Sequence, residues 1–244
     1  CKNEIHNILQ RANIKLTSYL SDIYGLTGMA LLEMFINGEV ITEETVLPKI
    51  QGRVKATVDQ LVEAMDGKLS IEDRFLLGQS LEHYRHLVNQ VEEITAVIKQ
   101  YVLDRFEREY NLLIELPGVS AIVACVILSE IGPNVEAFQS QGNLASWAGV
   151  CPGSYESAGI KKSSHTTQGN KYLKSSLFQA GGTAGRSKDE AFHNLYARIS
   201  GRSSKMKAII ACAHKLIRII YKILSTGEHY DAKKALGLRQ QARA

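Results

Sequence analysis

The chain has 244 residues, of which 45% are hydrophobic and 22% charged, and its formal net charge is +4. These proportions are typical of a folded globular protein and fit one large domain or two ordinary ones. No apolar run approaches the roughly 20 residues of a membrane-spanning helix, and no basic-then-apolar signal segment opens the chain. We therefore expect a protein with no membrane partner.

The net charge hides an asymmetry along the chain. Residues 1–150 hold 12 Lys/Arg against 20 Asp/Glu, a formal charge of −8, whereas residues 151–244 hold 17 against 5, a formal charge of +12. A C-terminal third this basic indicates a polyanionic partner, and nucleic acid is the partner we favour. The alternative is a solvated basic surface, or one that pairs with the acidic part of the same chain.

Four cysteines are scattered along the sequence, at Cys1, Cys125, Cys151 and Cys212. Because none forms a CxxC pair, the sequence does not indicate a zinc site, and we expect reduced thiols in a cytosolic protein. The residues after Cys1 already have the apolar spacing of a helix interior, so we also expect further residues before it.

The helical spacing of apolar residues and a content of only 4 prolines predict a mainly α-helical chain. Residues 2–38 are predicted to form three short helices, with Thr27 as the N-cap of the segment 28–35. Residues 42–66 give two more short helices, the first of them capped by Thr42.

A long helix is predicted from Ser70 to about Tyr110. Ser70 and Asp73 have the spacing at which a cap hydroxyl and an acidic side chain satisfy free amides at a helix start. The run contains no Gly or Pro after Gly78, and its length suggests that residues 70–110 form a coiled coil, between chains or folded back on neighbouring helices. The alternative is a helix of an intramolecular bundle. The apolar positions that define it are Leu77, Leu81, Tyr84, Val88, Val91, Ile98 and Val102.

Residues 112–132 have a different character, with two apolar helices around a tight turn at Pro117, Gly118, Val119 and Ser120. This pattern resembles a helix-hairpin-helix, in which backbone amides of the hairpin bind a phosphate without reading sequence. The alternative is a buried helical hairpin that only packs, and the residues alone do not decide between the two.

The remaining elements are also mostly helical. A short helix at 143–148 carries Trp147, the only tryptophan, which we expect in the core. Residues 149–168 are predicted to be a loop or a small β-ribbon. Further helices are predicted from Gly169-Asn170 to about 184, at 189–199 and at 203–225, followed by a polar tail at 236–244.

The loop offers a hydroxyl beside cationic side chains. Ser157 is followed closely by Gly159, and a glycine lets a phosphate backbone approach closely. Lys161 and Lys162 come next in the sequence and are suited to hold the non-bridging oxygens of a phosphate that a serine attacks. A serine near a glycine is also ordinary loop chemistry.

The helix that begins after Gly169-Asn170 extends this basic region. Its free amides are suited to a neighbouring phosphate, and Lys171 and Lys174 are placed to contact a nucleic-acid backbone. Other hydroxyls compete with Ser157, and a loop histidine is more often a surface residue than a base. These other loop residues are Ser163, Ser164, His165, Thr166 and Thr167.

Several sequence blocks resemble one known family in order and spacing, the insertion-sequence transposases of the IS-one-ten type. The resemblance covers nearly the whole chain, including segments at 12–16 and 21–25. Its most specific blocks are Leu116-Pro117-Gly118-Val119, Trp147-Ala148-Gly149-Val150-Cys151-Pro152-Gly153, Glu156-Ser157-Ala158-Gly159 and Gly169-Asn170-Lys171-Tyr172-Leu173-Lys174.

The resemblance implies a DNA recombinase of the bacterial cytoplasm, associated with the nucleoid. Enzymes of this family carry an N-terminal RuvC-like domain with an Asp-Glu-Asp-Asp set that binds magnesium, and a C-terminal domain with a nucleophilic serine. A structured RNA bridges their target and donor DNA. By this resemblance Ser157 is the nucleophile, whereas Gly159, Gly169 and Asn170 match motif positions without an assigned chemical role.

The resemblance also implies that the magnesium ligands lie upstream of this chain. Glu4, Asp22 and Glu33 form no substitute set, so we expect no cofactor in this chain, with Mg²⁺ in the upstream domain, and no catalysis by the chain alone. The predicted organisation is a helical segment, the coiled-coil helix, a C-terminal transposase domain and a polar tail, at 1–69, 70–110, 111–235 and 236–244.

The sequence therefore supports one main hypothesis, the linker and catalytic portion of a DNA transposase whose 70–110 helix joins two protomers. A second hypothesis is a non-catalytic nucleic-acid-binding helical module, a truncated remnant of a transposase. A third is a coiled-coil interaction protein with no affinity for nucleic acid.

Overall fold

The computed structural model describes residues 1–151, 155–157, 160–163, 166 and 168–237. The chain forms two compact units, Cys1–Glu93 and Ile94–Ala244. Both are built mainly from helices, which confirms the predicted fold class. The division of the sequence into four segments stays a prediction.

The first unit consists of short helices around one core. They are α1 (Lys2–Arg11), α2 (Leu16–Tyr19), α3 (Leu26–Asn37), α4 (Glu43–Val46), a 3-10 turn (Leu47–Lys49) and α5 (Val58–Ala64). Apolar residues at helical spacing on α1 and α3 are fully buried, as the sequence pattern requires. The core of this unit includes Ile5, Leu9, Leu31, Leu32, Met34 and Leu61.

Helix starts in this unit test the predicted caps. Thr42 caps α4 in a reciprocal capping box with Thr45, as predicted. The prediction for Thr27 was wrong, because the N-cap of α3 is Gly25 and Thr27 is buried inside the helix. Its hydroxyl donates to the carbonyl oxygen of Gln51 and accepts from the Gln51 amide, both at 2.9 Å. The hydroxyl thus stabilises a loop 24 residues away in sequence.

The long helix α6 runs from Ile71 to Ile114. The Asp73 amide donates to the Ser70 hydroxyl at 3.0 Å, so the predicted cap is present. The backbone leaves helical geometry at Phe106, where φ is −138° and ψ is 34°. Leu77 and Leu81 are buried in the core of the first unit, and Val102, Tyr110 and Leu113 in that of the second. Between them the predicted apolar positions Val88, Val91 and Ile98 are exposed, as are Leu87, Ile94 and Tyr101. The coiled coil stays a prediction.

The second unit contains the remaining helices and one small sheet. The helices are α7 (Ala121–Ile131), α8 (Gln141–Trp147), α9 (Lys171–Arg186), α10 (Glu190–Arg202), α11 (Lys205–Thr226) and α12 (Ala232–Gly237). The sheet consists of β1 (Tyr155–Ser157) and β2 (Ile160–Ser163). Helix α9 packs against α11 and α10 through two buried glycines, Gly181 against Ala213 of α11 and Gly185 against Tyr196 of α10. The positions of α7 to α11 follow the sequence prediction closely, whereas α12 was not predicted.

Helix α11 is the longest apolar segment of the second unit, and it is amphipathic. Cys212, Leu216, Ile217 and Ile220 are buried on one face, whereas Lys222 is exposed on another. Within the part of the chain that the structure describes, no helix combines the length and apolar character that crossing a membrane requires.

Candidate nucleic-acid interface

The segment that carries the predicted nucleophile is an antiparallel β-hairpin. Ser157 ends β1 and pairs with Ile160, Glu156 pairs with Lys161, and the register shifts between Tyr155 and Glu156. This confirms the β-ribbon alternative for this loop. Among the predicted site residues, Gly159 and the side chains of Ser157, Lys161 and Lys162 lie outside the described residues, as does His165.

The hairpin segment leaves α8 and returns to α9 at one backbone junction. The Asn170 amide donates to the carbonyl oxygen of Trp147 at 3.0 Å. Gly169 lies so close to this backbone that a Cβ atom on it would be 2.6 Å from the Trp147 oxygen. A side chain at position 169 therefore cannot be accommodated without moving the junction. The motif glycine has a packing role, which the sequence alone did not assign.

Asn170 is the N-cap of α9, and its side chain uses both ends of its amide. The Oδ1 atom accepts from the amides of Tyr172 at 3.0 Å and Leu173 at 2.9 Å. The Nδ2 atom donates to a carboxylate oxygen of Glu130, which lies in the last turn of α7. The helix start predicted at Gly169-Asn170 is confirmed. The predicted phosphate site at this helix start relies on free backbone amides, and two of these amides, those of Tyr172 and Leu173, donate to the Asn170 side chain.

Two lysines lie on the first turn of α9. Lys171 is exposed, and its ammonium nitrogen is 4.9 Å from the ring centroid of Tyr172. Lys174 is half-buried, and its backbone amide continues the helix by donating to Asn170. The side chain of Tyr172 is itself 60% exposed. The start of α9 therefore presents positive charge and an aromatic ring to solvent.

The predicted helix-hairpin-helix turn joins α6 to α7 and packs against α9. Gly118 has φ +81°, and a Cβ atom on it would be 2.7 Å from the Ala184 nitrogen. Val119 is buried, and its amide donates to the Leu116 carbonyl oxygen at 3.1 Å. Close packing thus accounts for the glycine. Pro117 is half-buried in the same turn.

Ser120 ends this turn as the N-cap of α7. Its hydroxyl accepts from the Val123 amide at 3.3 Å, and the residue is exposed. The turn therefore combines a buried packing side with an exposed side. Phosphate binding by residues 117–120 stays a prediction.

A second polar cluster in this unit joins α10, α11 and the segment that precedes α12. Asp189 caps α10, and its other carboxylate oxygen accepts from the Tyr230 hydroxyl at 2.9 Å. Burial, together with this carboxylate, raises the pKa of Tyr230 well above its usual value. Lys215 donates to the Ala191 carbonyl oxygen at 2.9 Å, and burial lowers its pKa. We interpret this cluster as structural, because each polar group in it is bound by another element of the same unit.

All four cysteines are free thiols, in agreement with the prediction. Burial raises the pKa of Cys212 to about 11, against a smaller opposing effect of Lys215. Burial also raises the pKa of Cys125 and of Cys151. Because a thiol reacts as its thiolate, raised pKa values make these cysteines poor nucleophiles.

The acidic residues of the first unit do not assemble a magnesium site. Glu33 is paired with Arg85, and Asp22 accepts from the Tyr24 amide at 2.9 Å. Across the described ranges, no group of three or more His, Cys, Asp or Glu side chains is arranged to hold a metal ion. The described carboxylates thus do not fit the four-carboxylate set that the resemblance implies, and we derive no chemical step through a metal.

The backbone junction and the hairpin both lie within a segment of the sequence that matches a known protein family. Residues 110–197 match the model of the Transposase IS116/IS110/IS902 family. This matched segment contains the α6–α7 turn, the β-hairpin with Ser157 and the whole of α9.

Named relatives extend the similarity beyond the matched segment. The protein y4pF/y4sB of Sinorhizobium fredii (strain NBRC 101917 / NGR234), named as a candidate transposase, is 27% identical over 73% of this chain and 46% of its own length. The pilin gene-inverting protein of Moraxella lacunata is 29% identical over 62% of this chain and 48% of its own length. The transposase for insertion sequence element IS1328 of Yersinia enterocolitica is 26% identical over 62% of this chain and 46% of its own length. The chain thus spans about half the length of the curated relatives that it matches.

Proposed function

We propose that this chain is the linker and catalytic portion of a DNA transposase, in which the Ser157 hydroxyl attacks a DNA phosphodiester. The observation that supports the proposal most is the match of residues 110–197 to a transposase family. That range includes the strand that ends at Ser157. Two relatives are named as a pilin gene-inverting protein and as a transposase for an insertion sequence element, and both names support DNA recombination as the reaction.

The proposed step is a transesterification. A bond forms between the Ser157 oxygen and phosphorus, the bond from phosphorus to the 3′ oxygen of the cut strand breaks, and the 3′ oxygen takes up a proton. The serine loses its proton to a base, as attack on phosphorus requires. The 5′ phosphate stays on the protein until a second strand's 3′ hydroxyl replaces the serine.

The other predicted residues have supporting roles. Gly159 allows the DNA strand to approach the protein backbone, and Lys161 and Lys162 offset negative charge on the non-bridging oxygens of the attacked phosphate. Lys171 and Lys174 contact neighbouring phosphates, and the turn at 117–120 offers a further backbone contact. Gly169 and Asn170 fix the base of the hairpin, so their role is to position these groups.

Partners follow from the same proposal. DNA is the substrate, and a bridging RNA specifies its sequence, as the family resemblance implies. Recombination must hold two duplexes together, and the exposed apolar side chains of α6 provide a surface for a second copy of the chain. Mg²⁺ belongs to the upstream domain that the resemblance implies.

The direct test is recombination by a full-length protein that supplies this upstream domain. Ser157→Ala is expected to lower the rate of strand exchange by at least about 1,000-fold, as the loss of a nucleophile does. The affinity for DNA is expected to change by less than about threefold. Ser163→Ala is the matched control, because it removes another hydroxyl of the same hairpin. Strand exchange by Ser157→Ala at the wild-type rate would contradict the proposal.

A second candidate is a non-catalytic nucleic-acid-binding module. The observation that favours it is that Gly118, Gly169 and Asn170 each have a packing or capping role that requires no chemistry. This alternative predicts DNA binding that weakens with salt. It also predicts no strand exchange and no covalent protein–DNA product when the upstream domain is supplied.

A further inference from the structure

The only tryptophan of the chain lies at the surface rather than in the core. We had expected Trp147 to be buried, and that prediction was wrong: 39% of its surface is exposed, whereas Leu144, Ala145 and Ala148 beside it are fully buried. Its ring contacts Phe138, with ring centroids 5.3 Å apart and an interplanar angle of 58°. The indole is thus held by a second aromatic side chain while part of it faces solvent.

A second exposed aromatic residue is fixed to the same backbone junction. The Asn170 amide binds the Trp147 carbonyl oxygen, and the Asn170 side chain binds the Tyr172 amide. Tyr172 is 60% exposed and has the Lys171 ammonium group over its ring at 4.9 Å. The exposed surface at this junction therefore includes two aromatic residues and a lysine, each within two residues of the hydrogen bond between positions 147 and 170.

The chemistry of this surface fits a nucleotide better than a protein segment. Aromatic rings bind the faces of bases by stacking, and an exposed lysine beside them meets the phosphate that accompanies each base. The carboxylate at the junction, Glu130, already accepts from Asn170. A duplex keeps its bases stacked on one another, and inserting a ring between them costs free energy, so an unpaired base is the favoured partner of an exposed aromatic ring.

We propose that Trp147 and Tyr172 form a stacking platform for unpaired DNA bases next to the phosphodiester that Ser157 attacks. The identity of the ligand as DNA rests on the proposed function, because strand exchange requires bases to leave their duplex at the cleavage site. Stacking on these rings holds the released bases apart and fixes the strand at the base of the hairpin. Sequence is not read by this contact, since every base has a face that can stack.

Because Trp147 is the only tryptophan, its fluorescence reports stacking directly in the unmodified chain. A 20-nucleotide single strand is expected to quench this fluorescence on binding, and a duplex with a short central mismatch bubble is expected to do the same. A fully paired duplex of the same sequence binds through its phosphates and leaves the fluorescence nearly unchanged.

Substitutions separate stacking from charge. Trp147→Ala and Tyr172→Ala are each expected to weaken binding of the single strand by at least about fivefold, the lower end of the range for one stacked base. Trp147→Phe and Tyr172→Phe keep a ring and are expected to stay within about threefold of wild type. Phe75→Ala is the matched control, because Phe75 is a 66% exposed aromatic residue of the other unit.

Three results would overturn the proposal. One is quenching by the paired duplex equal to that by the single strand, and another is wild-type binding by both alanine variants. The third is tighter binding and stronger quenching by a single-stranded RNA of the same sequence, which would assign the surface to RNA. Quenching by the single strand can be observed when Ser157 forms no bond to DNA, and Ser157 can react when no quenching occurs. The stacking proposal and the proposed function are therefore tested separately.

Discussion

At the scale of single residues, Gly118 and Gly169 have a packing role, whereas their neighbours in the sequence suggest phosphate binding. Both lie in blocks that we associated with phosphate binding, yet both are pressed against protein backbone. Gly118 lies against α9, and Gly169 lies against the end of α8. Their lack of a side chain therefore maintains the distances between helices that carry the candidate site.

Gly169→Ala is expected to destabilise the protein by about 1–3 kcal/mol, the usual cost of overpacking, because the added Cβ meets the Trp147 oxygen. Gly201→Ala is the matched control. That glycine lies in α10 with no atom within 4 Å of an added Cβ, and alanine stabilises a helix by up to about 1 kcal/mol relative to glycine. Urea unfolding of both variants measures the difference. Equal stability of the two would contradict the observed packing.

A second prediction at the residue scale concerns pH. Burial, and then the nearby positive charge of Arg218, lower the pKa of His214 below its ordinary 6.5. The unfolded chain therefore binds more protons than the folded chain once the pH falls below about 6.5. The stability contributed by this neutral histidine is present above that pH and is lost as the pH falls.

His214→Gln is expected to reduce the loss of stability between pH 7 and pH 5.5. The difference in slope is at most about 1.4 kcal/mol per pH unit, the value for one proton. Urea unfolding at several pH values measures the slope for each protein. A variant with the same slope as wild type would show that His214 does not contribute to it.

At the scale of elements, the sequence predicted helix starts well where the cap acts locally. Thr42, Ser70 and Asn170 each bind amides two or three residues ahead, and each stands where its own neighbours in the sequence indicate. Thr27 and Trp147 were predicted wrongly because their positions depend on distant partners. Thr27 binds Gln51, and the Trp147 ring is held by Phe138 at the surface. Local pattern carries no information about such contacts.

The link between Glu130 and Asn170 was also beyond sequence reasoning. The two residues are 40 positions apart, and only the packing of α7 against α9 brings them together. An acidic residue in the last turn of a helix is unfavourable beside the negative end of the helix dipole. This unusual position was the one signal in the sequence that Glu130 has a specific partner.

Exchange of the groups in this pair gives a test at the element scale. Asn170→Asp keeps the acceptor for the Tyr172 and Leu173 amides but places a second carboxylate beside Glu130. We expect it to lower the free energy of unfolding by about 1–3 kcal/mol. Glu130→Gln alone is expected to have a small effect, since its amide oxygen can still accept from Asn170.

The double variant restores a donor opposite a carboxylate. Glu130→Gln in the Asn170→Asp background is therefore expected to recover at least half of the lost stability, measured as a double-mutant cycle. Additive effects of the two substitutions would contradict a direct contact between these side chains.

At the scale of the whole molecule, the two units differ in charge. Residues 1–93 hold 9 Lys/Arg against 14 Asp/Glu, a formal charge of −5, and residues 94–244 hold 20 against 11, a formal charge of +9. The segment that matches the transposase family lies in the basic unit. The charge pattern in the sequence thus indicated which part of the chain carries the candidate interface, although the hairpin geometry did not follow from it.

The exposed apolar side chains of α6 give the prediction for assembly. Ile94 and Tyr101 are seven residues apart in the second unit, with Ile98 between them, and all three are exposed by more than 40%. This heptad spacing fits pairing with a second copy of the chain. Ile94→Lys is expected to convert a dimer to a monomer in sedimentation velocity, whereas Asn89→Lys, an exposed polar position of the same helix, is not. A wild-type chain that sediments as a monomer would contradict this pairing.

The covalent product at Ser157 tests the central claim most directly. A full-length protein is incubated with a DNA substrate that traps the cut strand, digested with protease, and its DNA-linked peptide is sequenced by mass spectrometry. We predict a nucleotide joined through its 5′ phosphate to Ser157, with a free 3′ hydroxyl on the other side of the cut. An adduct on Ser163, Ser164 or Thr166, or strand exchange with no adduct on any residue, would contradict the account.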